Sequence, residues 1–166
     1  MKVVIIGLGR GWEDAPNEGE CWGITTLILR RPVNRVIDMH PSSLNFQGRT
    51  ETIKRAAELK ALYVNCDNYP LREVIDCFGI DYFSCSLAYA IPHATWEGFT
   101  EIDIYGANMI DPDEYSHERP GVEYWIGRAQ GAGVKVNVFG RESAIMKTMD
   151  KKLYGYGYPQ GGVYVG

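Results

Sequence analysis

Val3, Val4, Ile5 and Ile6 are four β-branched residues in a row, and Gly7 ends the run. A strand that is apolar at every position cannot turn one face to water, so it belongs inside a sheet covered on both faces. The rest of the chain is patterned to supply such a sheet and its cover. Further strand-like segments fall at residues 21–25, 35–39, 62–64, 102–105 and 134–139. Helical spacing recurs between them. Residues 50–59 read as a helix with Thr50 as N-cap and Ile53, Ala56 and Ala57 on one face. Leu71, Val74, Ile75 and Phe78 stand at i, i+3, i+4 and i+7 ahead of Gly79. Leu87, Ala90, Ile91 and Ala94 repeat that spacing before Gly98, and Pro92 should kink their helix because it lacks a backbone donor. Val122, Trp125, Ile126 and Ala129 make a further stripe, closed by Gly131 and Gly133, and residues 142–149 read as a short last helix. Strands alternating with helices require crossover connections, hence an α/β fold with a mainly parallel central sheet and helices on both faces.

The 166 residues suit one such domain, placed at 1–150, followed by a Gly/Tyr-rich tail at 151–166 that reads as loop or disorder from Tyr154 on. A net charge of −4 argues against a broad nucleic-acid footprint, and the cluster of Arg30, Arg31 and Arg35 reads as a solvated face. Cys21, Cys66, Cys77 and Cys85 show neither CxxC pairing nor a zinc spacing. With no secretory leader, they read as reduced thiols in a cytoplasmic protein. The apolar runs are too short for a membrane span, and nothing in the pattern specifies an oligomeric state.

Open parallel sheets hold ligands beyond the carboxyl ends of their strands, so the residues after each strand are the candidates for chemistry. The first strand enters Gly7-x-Gly9-x-Gly11-Trp12, where glycines allow a backbone to approach a phosphate. The dinucleotide fingerprint is not met: the third glycine comes one residue early, and Glu13, Asp14 and Pro16 follow. A tight turn with no ligand is the competing reading. After the strand at 35–39, Asp38 and His40 project to the same side. That pair could hold a ribose, bind a metal or transfer a proton; the plainer alternative is an Asp that caps a loop beside an exposed His. Ser84 and Ser86 precede a helix, so either could cap it, and the same helix start could receive an anion. No GxSxG elbow supports a nucleophilic serine. After the strand at 102–105 come Gly106 and Asn108, then the acidic Asp111, Asp113 and Glu114, then Glu118 and Arg119 ahead of Pro120. The carboxylates could bind Mg²⁺ through oxygen, or simply form a polar loop. Glu118 and Arg119 suit the first turn of the next helix.

Ser84-x-Ser86, Ala90, and Glu97-Gly98-Phe99-x-Glu101-Ile102-x-Ile104-Tyr105-Gly106-x-Asn108-Met109 together resemble a motif of a Rossmann-like superfamily. That superfamily includes bacterial sialyltransferases and archaeal 6-hydroxymethylpterin diphosphokinase-like proteins. Small bacteriophage proteins labelled morphogenetic look closer still. They are similar through Trp22-Gly23-Ile24 and Asp38-Met39-His40 to Glu118-Arg119-Pro120 and Glu123-Tyr124-Trp125-Ile126-Gly127, over residues 1–147. The resemblance implies a Rossmann-like three-layer sandwich and a nucleotide or nucleotide-sugar ligand, held by the first glycine loop and the serine-led helix start. Asn108 is a departure, because the superfamily usually carries Asp there; if that carboxylate ligates a metal or acts as a base, Asn108 does not supply the role.

Three classes of function stay open on these readings. One is an enzyme of phage type acting on a nucleotide-derived metabolite, with Asp38, His40, Glu118 and Arg119 as catalytic candidates. Gly7, Gly9, Gly11, Trp12, Ser84, Ser86, Gly106 and Asn108 would contact its small-molecule ligand. The second is a non-catalytic binder that sequesters a nucleotide-derived signal of host defence. The third is an assembly protein on a fold of ligand-binding descent.

Overall fold

A computed structural model describes residues 1–148, 151–155 and 159–160. Six strands form one sheet: β1 (Lys2–Ile6), β2 (Glu20–Ile24), β3 (Arg35–Asp38), β4 (Leu62–Asn65), β5 (Glu101–Tyr105) and β6 (Lys135–Val138). They lie in the order β4-β3-β2-β1-β5-β6, and every neighbouring pair is parallel. The five α-helices among the described residues are α1 (Arg49–Leu59), α2 (Leu71–Phe78), α3 (Ser86–Trp96), α4 (Pro112–Tyr115) and α5 (Arg119–Gly131).

The β-branched run of β1 does what its composition requires. Val3 and Ile5 point into a core shared with Ile91, Trp125 and Ile126 of α3 and α5. Val4 and Ile6 point the other way, into a core with Val36 and with Ala56 of α1. The result is a Rossmann-like three-layer α/β sandwich, parallel throughout rather than mainly so.

Local structure departs from the sequence reading in several places, each for a tertiary reason. The links from β1 to β2 and from β2 to β3 carry only 3-10 turns, at Trp12–Asp14 and Thr25–Leu29, so strict strand–helix alternation begins at β3. α1 starts after Gly48, not Thr50, and buries Arg49, Thr52 and Ala56 while Ile53 stays exposed. The helix is rotated because Arg49 reaches inward to backbone carbonyls and to a buried carboxylate. α3 continues through Pro92, which is buried. Residues 141–148 form turns instead of a helix; the Ala144 N–H bonds to Asn108 O at 2.7 Å, the Met146 N–H bonds to Glu123 Oε1 at 2.7 Å, and Met146 has φ 57°. Residue 149 of that expected helix lies outside the described residues, as does most of the tail from Tyr154 on.

Of the arginine cluster, only Arg30 is solvated. Arg31 is buried and donates to the carbonyls of Ala15 and Pro16, and Arg35 pairs with Glu97 at 2.7 Å. All four cysteines are free. Among the described residues, no helix is long and apolar enough to cross a membrane.

Candidate functional site

The chain leaves β1 toward β2 on one side, while β5 pairs with β1 on the other. Loops from the two strands diverge there, which makes this the topological switch point where sheets of this kind open a crevice. A cavity of about 730 Å³ opens at that point, within the size range of small-molecule sites. Its walls come from the loops after β1, β3 and β5 and from the start of α3.

The glycines of the first loop serve a packing role. The Gly7 N–H donates to Tyr105 O and the Gly9 N–H to Gly106 O, each at 2.8 Å. A Cβ on Gly7 would lie 2.4 Å from Gly106 O, and one on Gly9 2.8 Å from it. Gly106 itself has φ 61°, and a Cβ there would lie 2.8 Å from Gly7 O. These three glycines let two backbones touch, and the amides of Gly7 and Gly9 are already engaged. Gly7, Gly9, Gly106 and Asn108 all line the cavity. Gly11 and Trp12 are not among its lining residues: Gly11 precedes the 3-10 turn, and Trp12 packs against the core under α1 with the Arg30 guanidinium 5.8 Å from its ring centre.

His40 and Asp38 do come together. Asp38 is fully buried, and its Oδ1 accepts a hydrogen bond from His40 Nδ1 at 2.7 Å. Its Oδ2 accepts from the Tyr63 hydroxyl and lies 3.7 Å from Arg49 Nε. Burial, reinforced by the Asp38 carboxylate, pushes the Tyr63 hydroxyl up to about 12, so it stays a donor. Asp38 therefore sits behind the cavity wall, charge-compensated, while the half-exposed His40 lines the cavity itself. Holding the proton on Nδ1 leaves Nε2 as the nitrogen able to accept a proton or hydrogen-bond a ligand. Sequence reading missed Arg49 and Tyr63. Both join Asp38 only through the β3–β4 pairing and the docking of α1, which no local pattern announces.

Neither serine caps α3; Cys85 occupies that position. Ser84 Oγ donates to Glu118 O at 2.8 Å and packs on Gly121, where a Cβ would lie 2.0 Å from that oxygen. Ser86 Oγ accepts the Met39 N–H at 3.1 Å. The two hydroxyls thus tie the start of α3 to the ends of α5 and β3. Cys85 lines the cavity, but burial raises its thiol to about 11, which keeps it protonated at neutral pH and poorly nucleophilic.

The remaining candidates divide. Glu118 lines the cavity, whereas Arg119 turns away, its Nε 3.5 Å from Glu123 Oε1. Asp111 is on the rim and caps α4 by accepting the Asp113 N–H at 2.9 Å. Asn108 Oδ1 is buried with no protein partner and lies against Gly9. A carboxylate there would be an unpaired buried charge, which is costly, so the amide suits the position. Among the described residues, no group of three or more His, Cys, Asp or Glu is placed to hold a metal ion.

No family model matches the chain, and no curated protein does. Among solved structures, it is similar to the sialyltransferase CstII from Campylobacter jejuni in complex with cytidine-5'-monophosphate. That alignment covers 96% of this chain and 86% of the other, with 14% identity and a TM-score of 0.49. A second structure of CstII, in complex with CMP-3FNeuAc, covers 82% and 79%, with 10% identity and a TM-score of 0.43. Likeness at this level says nothing of what the chain binds.

Proposed function

We propose that this chain binds a small nucleotide-type molecule in the cavity at the β1–β5 switch point, with His40 as its principal polar contact. The observation that carries the reading is the His40–Asp38 pair on the cavity wall. A wholly buried carboxylate at 2.7 Å orients an imidazole whose body is half-exposed to the cavity. Burying that carboxylate costs free energy unless it is compensated. The chain supplies Tyr63 and Arg49 to compensate it, an arrangement that supports a role for the imidazole it orients. Nucleotide-type ligands suit the place because parallel sheets of this class receive them at the switch point, and because the walls mix apolar side chains with a few polar groups.

The same pair supports a second reading, in which the bound molecule is also transformed. An imidazole oriented by a carboxylate is the base half of an acid–base site, and Glu118 and Asp111 are carboxylates on the wall that could share proton transfer.

Calorimetric titration of the chain and of its His40→Ala variant, with nucleosides and their 5'-phosphates, tests the binding reading. The variant should lose about 0.5–3 kcal/mol of affinity, the span from a neutral to a charged hydrogen bond. Equal affinities, or no binding to the parent chain, would overturn it. Incubation of any ligand so found, followed by chromatography, separates binding from turnover.

A further inference from the structure

Among the described residues, no lysine or arginine side chain lines the cavity. The acidic and basic residue types on its walls are two carboxylates, Asp111 and Glu118, and one imidazole, His40. Of the arginines on flanking elements, the exposed Arg10 in the loop after β1 lies 3.5 Å from Glu142 Oε1. Arg49 donates to the carbonyls of Pro41 and Leu44 and faces Asp38, and Arg119 faces Glu123. Positions 149–150, 156–158 and 161–166, outside the described residues, contain no Lys, Arg or His at all.

This charge pattern bears on the ligand. A di- or triphosphate brings several negative charges, which proteins receive with Arg or Lys forks or a metal ion. The start of a helix such as α3 contributes only about half a positive charge, and the two carboxylates on the wall oppose any polyanion. The same carboxylates accept hydrogen bonds, so they favour groups that donate them, such as sugar hydroxyls and exocyclic amines. Resting on the binding role proposed above, we infer that the cavity selects nucleotide-type molecules of low negative charge: it takes a nucleoside or nucleoside monophosphate and excludes di- and triphosphates.

The test is a titration of the full chain with adenosine, guanosine, cytidine and uridine and with the 5'-mono-, di- and triphosphate of each, in EDTA and in Mg²⁺. For the base that binds best, the nucleoside or monophosphate should bind at least about tenfold more tightly than the diphosphate, in both conditions. Asp111→Asn combined with Glu118→Gln should shrink that ratio several-fold, with circular dichroism confirming that the variant is folded. Asn retains the cap at the start of α4. A di- or triphosphate that binds as tightly as the monophosphate would overturn the inference while leaving the binding role intact. A double variant with an undiminished ratio would likewise overturn it, because the carboxylates would not be the cause. Absence of binding by every compound would remove the binding role, and the inference with it.

Discussion

Gly7 and Gly106 stand so close that a Cβ on Gly7 would lie 2.4 Å from the Gly106 carbonyl oxygen, which already accepts the Gly9 N–H at 2.8 Å. The floor of the cavity is thus a backbone-to-backbone contact between the loops after β1 and β5. Any side chain at these positions must part the loops, and parting them breaks a hydrogen bond.

Gly7→Ala and Gly9→Val should therefore destabilise the fold by roughly 1–3 kcal/mol, the usual cost of forcing atoms into filled space. In a chain of this size that corresponds to a fall of about 2–4 °C in melting temperature for each kcal/mol. Thermal melts followed by circular dichroism read it directly. Melting temperatures equal to the parent's would mean that the two loops separate at no cost.

Ser84 and Gly121 form a second close approach, one that a rescue experiment can isolate. Gly121→Ala places a methyl group 2.0 Å from Ser84 Oγ and 2.7 Å from its Cβ, and should cost about 1–3 kcal/mol. Ser84→Gly removes both atoms. The double variant should recover part of the loss, with a coupling of about 0.5 kcal/mol or more. Strict additivity in denaturant melts would show that the contact relaxes by other means.

Replacing Asp38 tests the network behind His40. Asp38→Asn keeps the shape but leaves Arg49 facing a neutral group in a buried place. A loss of about 3–5 kcal/mol follows from breaking a buried pair on one side. The Nδ1–H tautomer of His40 should also lose its preference, which ¹⁵N NMR of the imidazole reports independently of stability. A tautomer ratio unchanged by the substitution would show that Asp38 does not orient the ring.

His93 predicts how stability depends on pH. Burial lowers its pKa from 6.5 to about 4; Arg35 acts in the same direction, and Glu97 opposes. The unfolded chain therefore takes up the proton first as the medium is acidified. The stability linked to this group is complete above about pH 6.5 and is lost as pH falls from there toward about 4. Denaturant melts across that window should show a steeper loss for the parent chain than for His93→Gln. Parallel curves would place the titrating group elsewhere.

Much of the local plan is legible in the order of the residues. Val3 to Ile6 can only be a strand buried on both faces, and the spacing from Leu71 to Phe78 marks α2 to the residue. The alternation along β3 places Asp38 and His40 on one side, where they bond. Spacing misleads where long-range partners are stronger than local preference. Arg49 rotates α1 away from its Ile53 face, Ser84 and Ser86 bond across the fold instead of capping α3, and Glu123 takes the Met146 amide that a helix over 142–149 would have used.

By itself the sequence determined the elements with strong periodicity, the parallel class of the sheet, and the loops where a ligand could sit, because these follow from side-chain spacing and from which connections a chain can make. Only the tertiary structure decided that β5 pairs with β1, that Gly7, Gly9 and Gly106 serve a loop contact, and that Arg49 and Tyr63 stand behind Asp38. Such facts depend on pairings between residues far apart in the chain, whose free energy is set by packing and burial that exist only once the layers have closed.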